Sequence, residues 1–471
     1  MLVLAGATPA GAQAGAATVM RLETALAQAS KTNVDLRDPV ANYHKLPLAD
    51  VRLLTPAFDW SVYFAGLGLE APPVVDVGQP DFFRAFNGLL VSTPVADWRV
   101  YLHWHLLHAA APYLSASFVQ ENFSFYGRTL NGTLELRERW KRVLGTIDGS
   151  VGEALGQLYV AEYFPPQAKA RMLKLIGNLR AALRDRIAAV TWMDAPTRAA
   201  ALTKLDALGV KVGYPDKWRD YRQLRIDRGS YVLNVFRAQE FNVRRDLRKI
   251  GHPTDRTEWQ MTPPTVNAYY DSSMNEIVFP AGILQPPFFD AKADDAVNYG
   301  GIGAIIGHEM THGFDDQGRQ FDLHGNLSDW WSPASATRFK ALAAGIIAQF
   351  NAYQVEPDLH VNGELTQGEN IADLGGVKIA YAALEKALAG KPRPKIGGFT
   401  PEQRFFLSFA TIWRENDRPE SLRLQVNTDP HSPPRFRADG PLSNLPEFAR
   451  AFNVPEGAFM RRPDADRVVI W

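Results

Sequence analysis

Residues 300–316 read GGIGAIIGHEMTHGFDD, and within them His308, Glu309 and His312 stand in the order His-Glu-x-x-His. On a helix, positions four apart lie one turn above each other on a single face. Both imidazoles can therefore reach one metal ion. Glu309, turned about 100° from His308, stands beside the water that such an ion activates, where it acts as general base. Zinc is the metal this pattern favours. The competing reading is a Gly-rich core helix with two hydrogen-bonded histidines. Gly300, Gly301, Gly303 and Gly307 each cost a helix about 1 kcal/mol relative to alanine. The stretch therefore predicts unusually close backbone packing.

A metal site needs a third donor. The chain has no cysteine, which excludes disulfides and thiolate sites and leaves His, Asp and Glu as the strong ligands. The metzincin continuation would need glycine at 315 and histidine at 318, whereas the chain has Asp315 and Gly318. A glutamate about twenty residues past the second histidine, as in short-spaced relatives, is also missing: Trp331 and Ser332 stand there. The best candidate is Glu369 in GENIADLGG (368–376), four residues before Asp373. The two share one face of a second helix, predicted to run to about Leu388, and Gly376 and Ala380 continue that face. Small residues there imply close contact with another helix. Inward carboxylates need charge partners: a zinc ion for Glu369 and an imidazole N–H for Asp373. A solvated surface pair is the alternative.

Outward from these segments, the chain has 471 residues, 46% of them hydrophobic, enough for two or three packed domains. Its 51 basic and 51 acidic side chains balance, so nothing points to nucleic acid. No apolar run reaches the roughly 20 residues of a membrane span. The opening MLVLAGATPAGAQA lacks a basic start and is broken by Gly6, Thr8 and Pro9. It reads as a turn leading into a helix around Ala16–Ala29 rather than as a signal peptide.

Residues 14–213 read as mostly helix. Met172, Ile176, Leu179, Leu183 and Ile187 form one buried stripe, and Asp194 caps a helix with Pro196 in its first turn. His103, His105 and His108 are read as ordinary helix histidines rather than a second metal site. GYPDKWRDY (213–221) is a break. Val266–Phe279 alternates as a hairpin turning through Asp271–Asn275 and ended by Pro280. Ser332–Pro333 starts another helix. Thr400 and Gln403 form a capping box ahead of Phe405, Phe406, Phe409 and Trp413.

NAYY (267–270), NEIVFPAGILQPPFF (275–289), GHEMTHGFDDQGRQFD (307–322), GENIADLGG (368–376) and TDPHSPPRFR (428–437) together closely resemble the neprilysin and endothelin-converting-enzyme family. Bacterial PepO-like oligopeptidases look nearest. The likeness is continuous over about 266–471 and looser in RDPVANYHKLPL, TWMDAPTRAAAL and VGYPDKW.

It implies a mainly α fold with a small β-sheet: a thermolysin-like (gluzincin) catalytic domain over 264–471, a helical lid domain over 1–213, and a connecting segment between. It implies one zinc ion per chain on His308, His312 and Glu369, with Glu309 as base. Asp373 and Asp315 match carboxylates that orient the imidazoles, and His431 matches the donor to the oxyanion. Arg437 matches the residue that binds a substrate carbonyl. Asn267 and the backbone of Ala268 match the edge that holds an extended peptide. Ile283, Phe288 and Trp413, with Ile305 nearby, match the apolar pocket for the residue after the cut bond. Alone, His431 would read as a loop histidine, Arg437 as an ion pair and the pocket residues as core.

Family members carry about two hundred further N-terminal residues, including a signal or anchor. The chain is therefore expected to be an N-terminally incomplete member of a periplasmic or cell-envelope family. Val468 stands where the family often has a cysteine before the final tryptophan, here Trp471. The expected activity is hydrolysis of oligopeptides by a monomer, on the amino side of apolar residues. The rivals are an inactive peptide-binding remnant and an aminopeptidase, which would need an acidic anchor for the free amine.

Overall fold

The first helix, Pro9–Ala29, begins seven residues earlier than expected in the computed structural model, which describes residues 1–471. Thr8 caps it, accepting from the Gly11 N–H, and Pro9 occupies the first turn. There a missing N–H costs nothing, so the proline starts the helix rather than breaking it.

The chain divides into two packed units, Met1–Ser150 with Asp220–Thr254, and Val151–Arg219 with Asp255–Trp471. The first is helical apart from a two-stranded ladder, β1 (Lys45–Pro47) with antiparallel β2 (Val74–Asp76). Its aromatic segments pack together: Trp60 lies 6.1 Å from Phe83 and Phe58 lies 6.0 Å from Phe86, beside buried Leu48, Val51, Phe64 and Val77. The three histidines of helix Val95–Ala110 do not converge. His105 bonds Glu23 at 2.8 Å, and His108 stacks between Trp104 and Tyr126.

Packing divides the chain at a different place from composition. Residues 151–219 belong with the second unit, although the change of texture near 213 suggested a boundary there. The reason is the stripe on helix Pro166–Ala189. Met172, Ile176, Leu179, Leu183 and Ile187 are all buried, in the same core as Ile306, Ile379 and Ala383. Helix Arg139–Tyr163 departs from helical geometry at Val151, where one unit ends and the other begins.

The second unit holds a three-stranded sheet and a short two-stranded ladder, Gln354–Glu356 with Leu359–His360. β3 (Gly209–Gly213) runs parallel to the central β5 (Glu276–Pro280), and β4 (Tyr269–Asp271) pairs antiparallel on its other side. β3 lies at the end of the stretch read as mostly helix, where no strand was expected. Val210 and Val212 pair with Ile277 and Phe279, a partnership decided more than sixty residues downstream. The hairpin is present, with Asp271 Oδ1 accepting from the Ser273 and Met274 N–H groups in its turn. Its first strand is shorter than expected, leaving Val266 and Asn267 exposed ahead of the ladder. Pro280 closes β5, whose five residues are all buried.

The predicted helices recur: Ala195–Asp206 capped by Asp194, Pro333–Asn351 capped by Ser332, and Pro401–Ile412 with its capping box. No helix is long and apolar enough to cross a membrane. The fold is mainly α with small sheets, as expected.

Candidate metal centre

Two helices of the second unit build the site. The motif helix (Ala304–His312) follows a π-helical turn (Tyr299–Gly303), and the carboxylate helix (Gln367–Leu388) crosses it. They meet glycine to glycine. A Cβ on Gly307 would lie 2.6 Å from the Gly376 carbonyl oxygen, and one on Gly376 would lie 2.6 Å from both Ala304 O and His308 N. The glycines that weaken the helix thus let two backbones touch.

That approach brings the expected donors together. His308 Nε2 and His312 Nε2 lie 2.9 Å apart, and the Glu369 carboxylate is 3.2 Å from the first and 3.6 Å from the second. His308 Nδ1 bonds Asp373 at 2.8 Å and His312 Nδ1 bonds Asp315 at 2.7 Å. With both Nδ1–H groups donated to carboxylates, both Nε2 lone pairs aim at one point. Facing lone pairs at that distance need a proton or a cation between them.

Glu369 Oε2 is buried without a hydrogen bond, although nitrogens approach within 3.2 and 3.3 Å. Tetrahedral zinc with ligands at about 2.0–2.1 Å spaces them roughly 3.3–3.4 Å apart: Glu369, at 3.2 and 3.6 Å, already matches that spacing, and the two imidazoles, at 2.9 Å, would part by about 0.4 Å to admit the ion. Glu309 is buried, with its carboxylate within 4.8 Å of the imidazole nitrogens, but Glu369 comes closer to both.

The sequence pattern of Peptidase family M13 matches residues 267–468, and the family's N-terminal pattern matches residues 1–215. The chain belongs to peptidase family M13. It is 36% identical over 463 residues to the endothelin-converting enzyme homolog of Locusta migratoria, covering 94% of this chain and 63% of that protein. Neprilysin-2 of Drosophila melanogaster is also 36% identical, over 94% of this chain and 61% of its own length. Among solved structures, the zinc metalloprotease Zmp1 of Mycobacterium tuberculosis, in complex with an inhibitor, superposes with a TM-score of 0.94. It has 45% identity over 97% of this chain and 70% of its own. PepO from Lactobacillus rhamnosis gives 0.90 at 30% identity, over 100% and 73%. The M13 chain thus spans about three fifths of the length of the curated relatives it matches.

Around the donors lies a charged shell. Arg437 donates from Nε and Nη2 to the two Asp373 oxygens at 2.7 and 2.8 Å, and its guanidinium stacks 4.2 Å from the Trp413 ring. His431 Nε2 is 3.3 Å from Glu369, and its Nδ1 bonds Asp429 at 2.7 Å. Burial alone would raise the Glu369 and Asp373 pKa values. The imidazoles beside Glu369 and the guanidinium on Asp373 outweigh it and hold both carboxyls low. Burial likewise pulls His312 down, but Glu369 and Asp315 more than offset that and hold it well above the usual histidine value. Glu309 goes the other way: burial raises its pKa, and His308 and His312 only moderate the rise.

The remaining expected residues come from other segments of the second unit. Ala268 is buried, with Asn267 Oδ1 accepting from its N–H, immediately before edge strand β4. Ile283 and Ile305 are core residues, while Phe288 and Trp413 stay half-buried at its margin. Sequence reasoning missed Asp429, and with it the bonds from Ser432 Oγ to Asn370 Oδ1 and from Asn370 to Thr366. These tie the His431 loop to the carboxylate helix. A carboxylate two residues before a candidate histidine was the available signal.

Proposed function

We propose that the chain is a zinc-dependent metalloendopeptidase acting on short peptides. The observation that carries this reading is the convergence of His308 Nε2, His312 Nε2 and the Glu369 carboxylate, whose Oε2 has no hydrogen bond, on one point. Those three side chains would hold one zinc ion. Bound there, zinc polarises a carbonyl and makes water acidic near neutral pH.

The chain's own residues supply the rest. Glu309, its carboxyl pKa raised by burial, takes a proton from water and passes it to the leaving amine. Asp373 and Asp315 fix the imidazole tautomers. His431, steadied by Asp429, donates to the oxygen that develops negative charge, a contribution typically worth about 3–4 kcal/mol. With Nε and Nη2 committed to Asp373, Arg437 has Nη1 left for a substrate carbonyl.

Asn267, the Ala268 backbone and edge strand β4 would hold an extended peptide by main-chain bonds, largely independent of its sequence. Ile283, Phe288 and Trp413 would then favour an apolar residue after the cut. The division into a helical chamber domain and a catalytic domain, the monomeric state and the periplasmic or cell-envelope setting come with the family resemblance.

The test is a fluorogenic-peptide assay on the purified chain, with and without chelator, beside Glu309→Gln. Chelator-sensitive cleavage that Glu309→Gln abolishes while zinc stays bound supports the reading. Turnover retained in that variant removes Glu309 as the base. Zinc binding without turnover of any peptide leaves a peptide-binding remnant instead.

A further inference from the structure

Lys204 lies on helix Ala195–Asp206 and is only 2% exposed, yet no carboxylate touches it. Buried lysines are normally ion-paired, because burying an ammonium costs several kcal/mol. Here Nζ donates to three backbone carbonyls, those of Gly313, Gly318 and Phe321, each at 2.7 Å. The rings of Tyr270, Phe314 and Trp330 surround it at 5.6–5.9 Å. An ammonium has three N–H bonds, and all three are used. Burial pushes its pKa down to about 7, against the pull of Asp315 and Asp322.

The three carbonyls are the beginning, middle and end of one loop, the segment that follows His312. This loop is wrapped around Asp315. Its Oδ1 accepts from the Gln317 and Gly318 N–H groups at 2.9 and 2.7 Å, while its Oδ2 bonds His312 Nδ1. Gly318 is pressed so tightly on the motif helix that a Cβ there would lie 1.8 Å from the His312 carbonyl oxygen. Three carbonyl dipoles pointing at one spot repel each other unless a cation sits among them. A methionine would fill the same space without that charge, so packing alone does not explain a lysine.

We propose that Lys204 is a positioning residue for the metal centre. Its ammonium pins the loop Gly313–Phe321 so that Asp315 holds the His312 imidazole with Nε2 toward the metal. The inference rests on the reading of His312 as a ligand. Outer partners of metal ligands typically carry 10–100-fold in metal affinity, and Lys204 would act one step further out, through Asp315.

Zinc affinity measured by chelator competition on the full chain tests this, with far-ultraviolet circular dichroism as the folding control. The set is wild type, Lys204→Met, Asp315→Asn and the double variant. Folded Lys204→Met should bind zinc about tenfold or more weakly. Added to Asp315→Asn, it should cost less than about a further twofold, because the two changes lie on one path. A role confined to packing would instead lower the melting temperature and leave zinc affinity alone. Unchanged affinity in Lys204→Met, or losses that multiply in the double variant, overturns the proposal. Should Lys204→Met not fold, Lys204→Gln, which keeps two N–H donors, carries the same comparison. Failure of both to fold makes Lys204 a determinant of the fold and overturns the specific assignment. A wild-type chain that takes up no zinc sinks this inference together with the proposed function, whereas zinc uptake with an indifferent Lys204 variant sinks this one alone.

Discussion

Replacing Gly376 by alanine puts the helix crossing under direct load. In an open helical position the change would stabilise, because alanine is the better helix former by about 1 kcal/mol. At Gly376 the new methyl would sit 2.6 Å from Ala304 O and His308 N, both backbone atoms that no rotamer change can move. Reaching ordinary contact near 3.4 Å requires the two helices to part by about 0.8 Å. The same displacement would stretch the 2.8 Å bond between His308 and Asp373 past hydrogen-bonding range. It would also shift Glu369 from the imidazoles by several times the roughly 0.2 Å that metal–ligand distances tolerate.

Overpacking of this kind costs about 1–3 kcal/mol, so Gly376→Ala should lower stability in urea by about that amount and weaken zinc binding at least tenfold. Gly177→Ala is the control. It is exposed on helix Pro166–Ala189 with nothing within 4 Å of its would-be Cβ, and it should gain a few tenths to 1 kcal/mol. Equal stability and zinc affinity in Gly376→Ala and wild type would refute the account of why this helix tolerates its glycines.

Other expectations follow from the same contacts. Zinc added to metal-free chain should raise the melting temperature, by about 2.7 kcal/mol of stability at a hundredfold excess over Kd, and Glu369→Gln should lose most of that gain; an unmoved midpoint would sink the metal centre. Arg437→Met leaves the buried Asp373 carboxylate with only the His308 imidazole, which should cost up to about 3–5 kcal/mol in urea unfolding. Arg437→Lys keeps the charge and should cost less, and the opposite order would contradict the ion-pair reading. The Asp194 pKa is lowered to about 2 by hydrogen bonds from Ser332 and Thr197. A depressed carboxyl stabilises above its unfolded pKa, near 4, and that contribution disappears as pH falls through the folded value. The melting-temperature gap between wild type and Asp194→Ala should therefore be constant above about pH 4 and narrow toward pH 2; a gap independent of pH would contradict it.

What could be read ahead of the structure was local. His308, Glu309 and His312, like Glu369 and Asp373, are set by spacing along a single helix, and four residues always make one turn. The caps at Asp194, Ser332 and Thr400 are equally local, each a side chain bonding a backbone N–H three residues on. β3 was missed because the five residues Gly-Val-Lys-Val-Gly become a strand only when Ile277 and Phe279 arrive beside them. The packing division at Val151 has no counterpart in the sequence reading, because a single kinked residue inside a helical pattern leaves no mark in composition.

Lys204 shows the same limit at the site itself. A lysine on a helix is ordinarily a solvated residue, and nothing between 195 and 206 says otherwise. Its environment is made by a loop more than a hundred residues away, whose carbonyls converge because Asp315 has drawn the backbone around itself. Candidate donors can thus be picked out by their spacing within each helix. The charges that hold those donors still are fixed by packing, and for the His312 side of this site that packing begins at an ammonium remote from the motif in sequence.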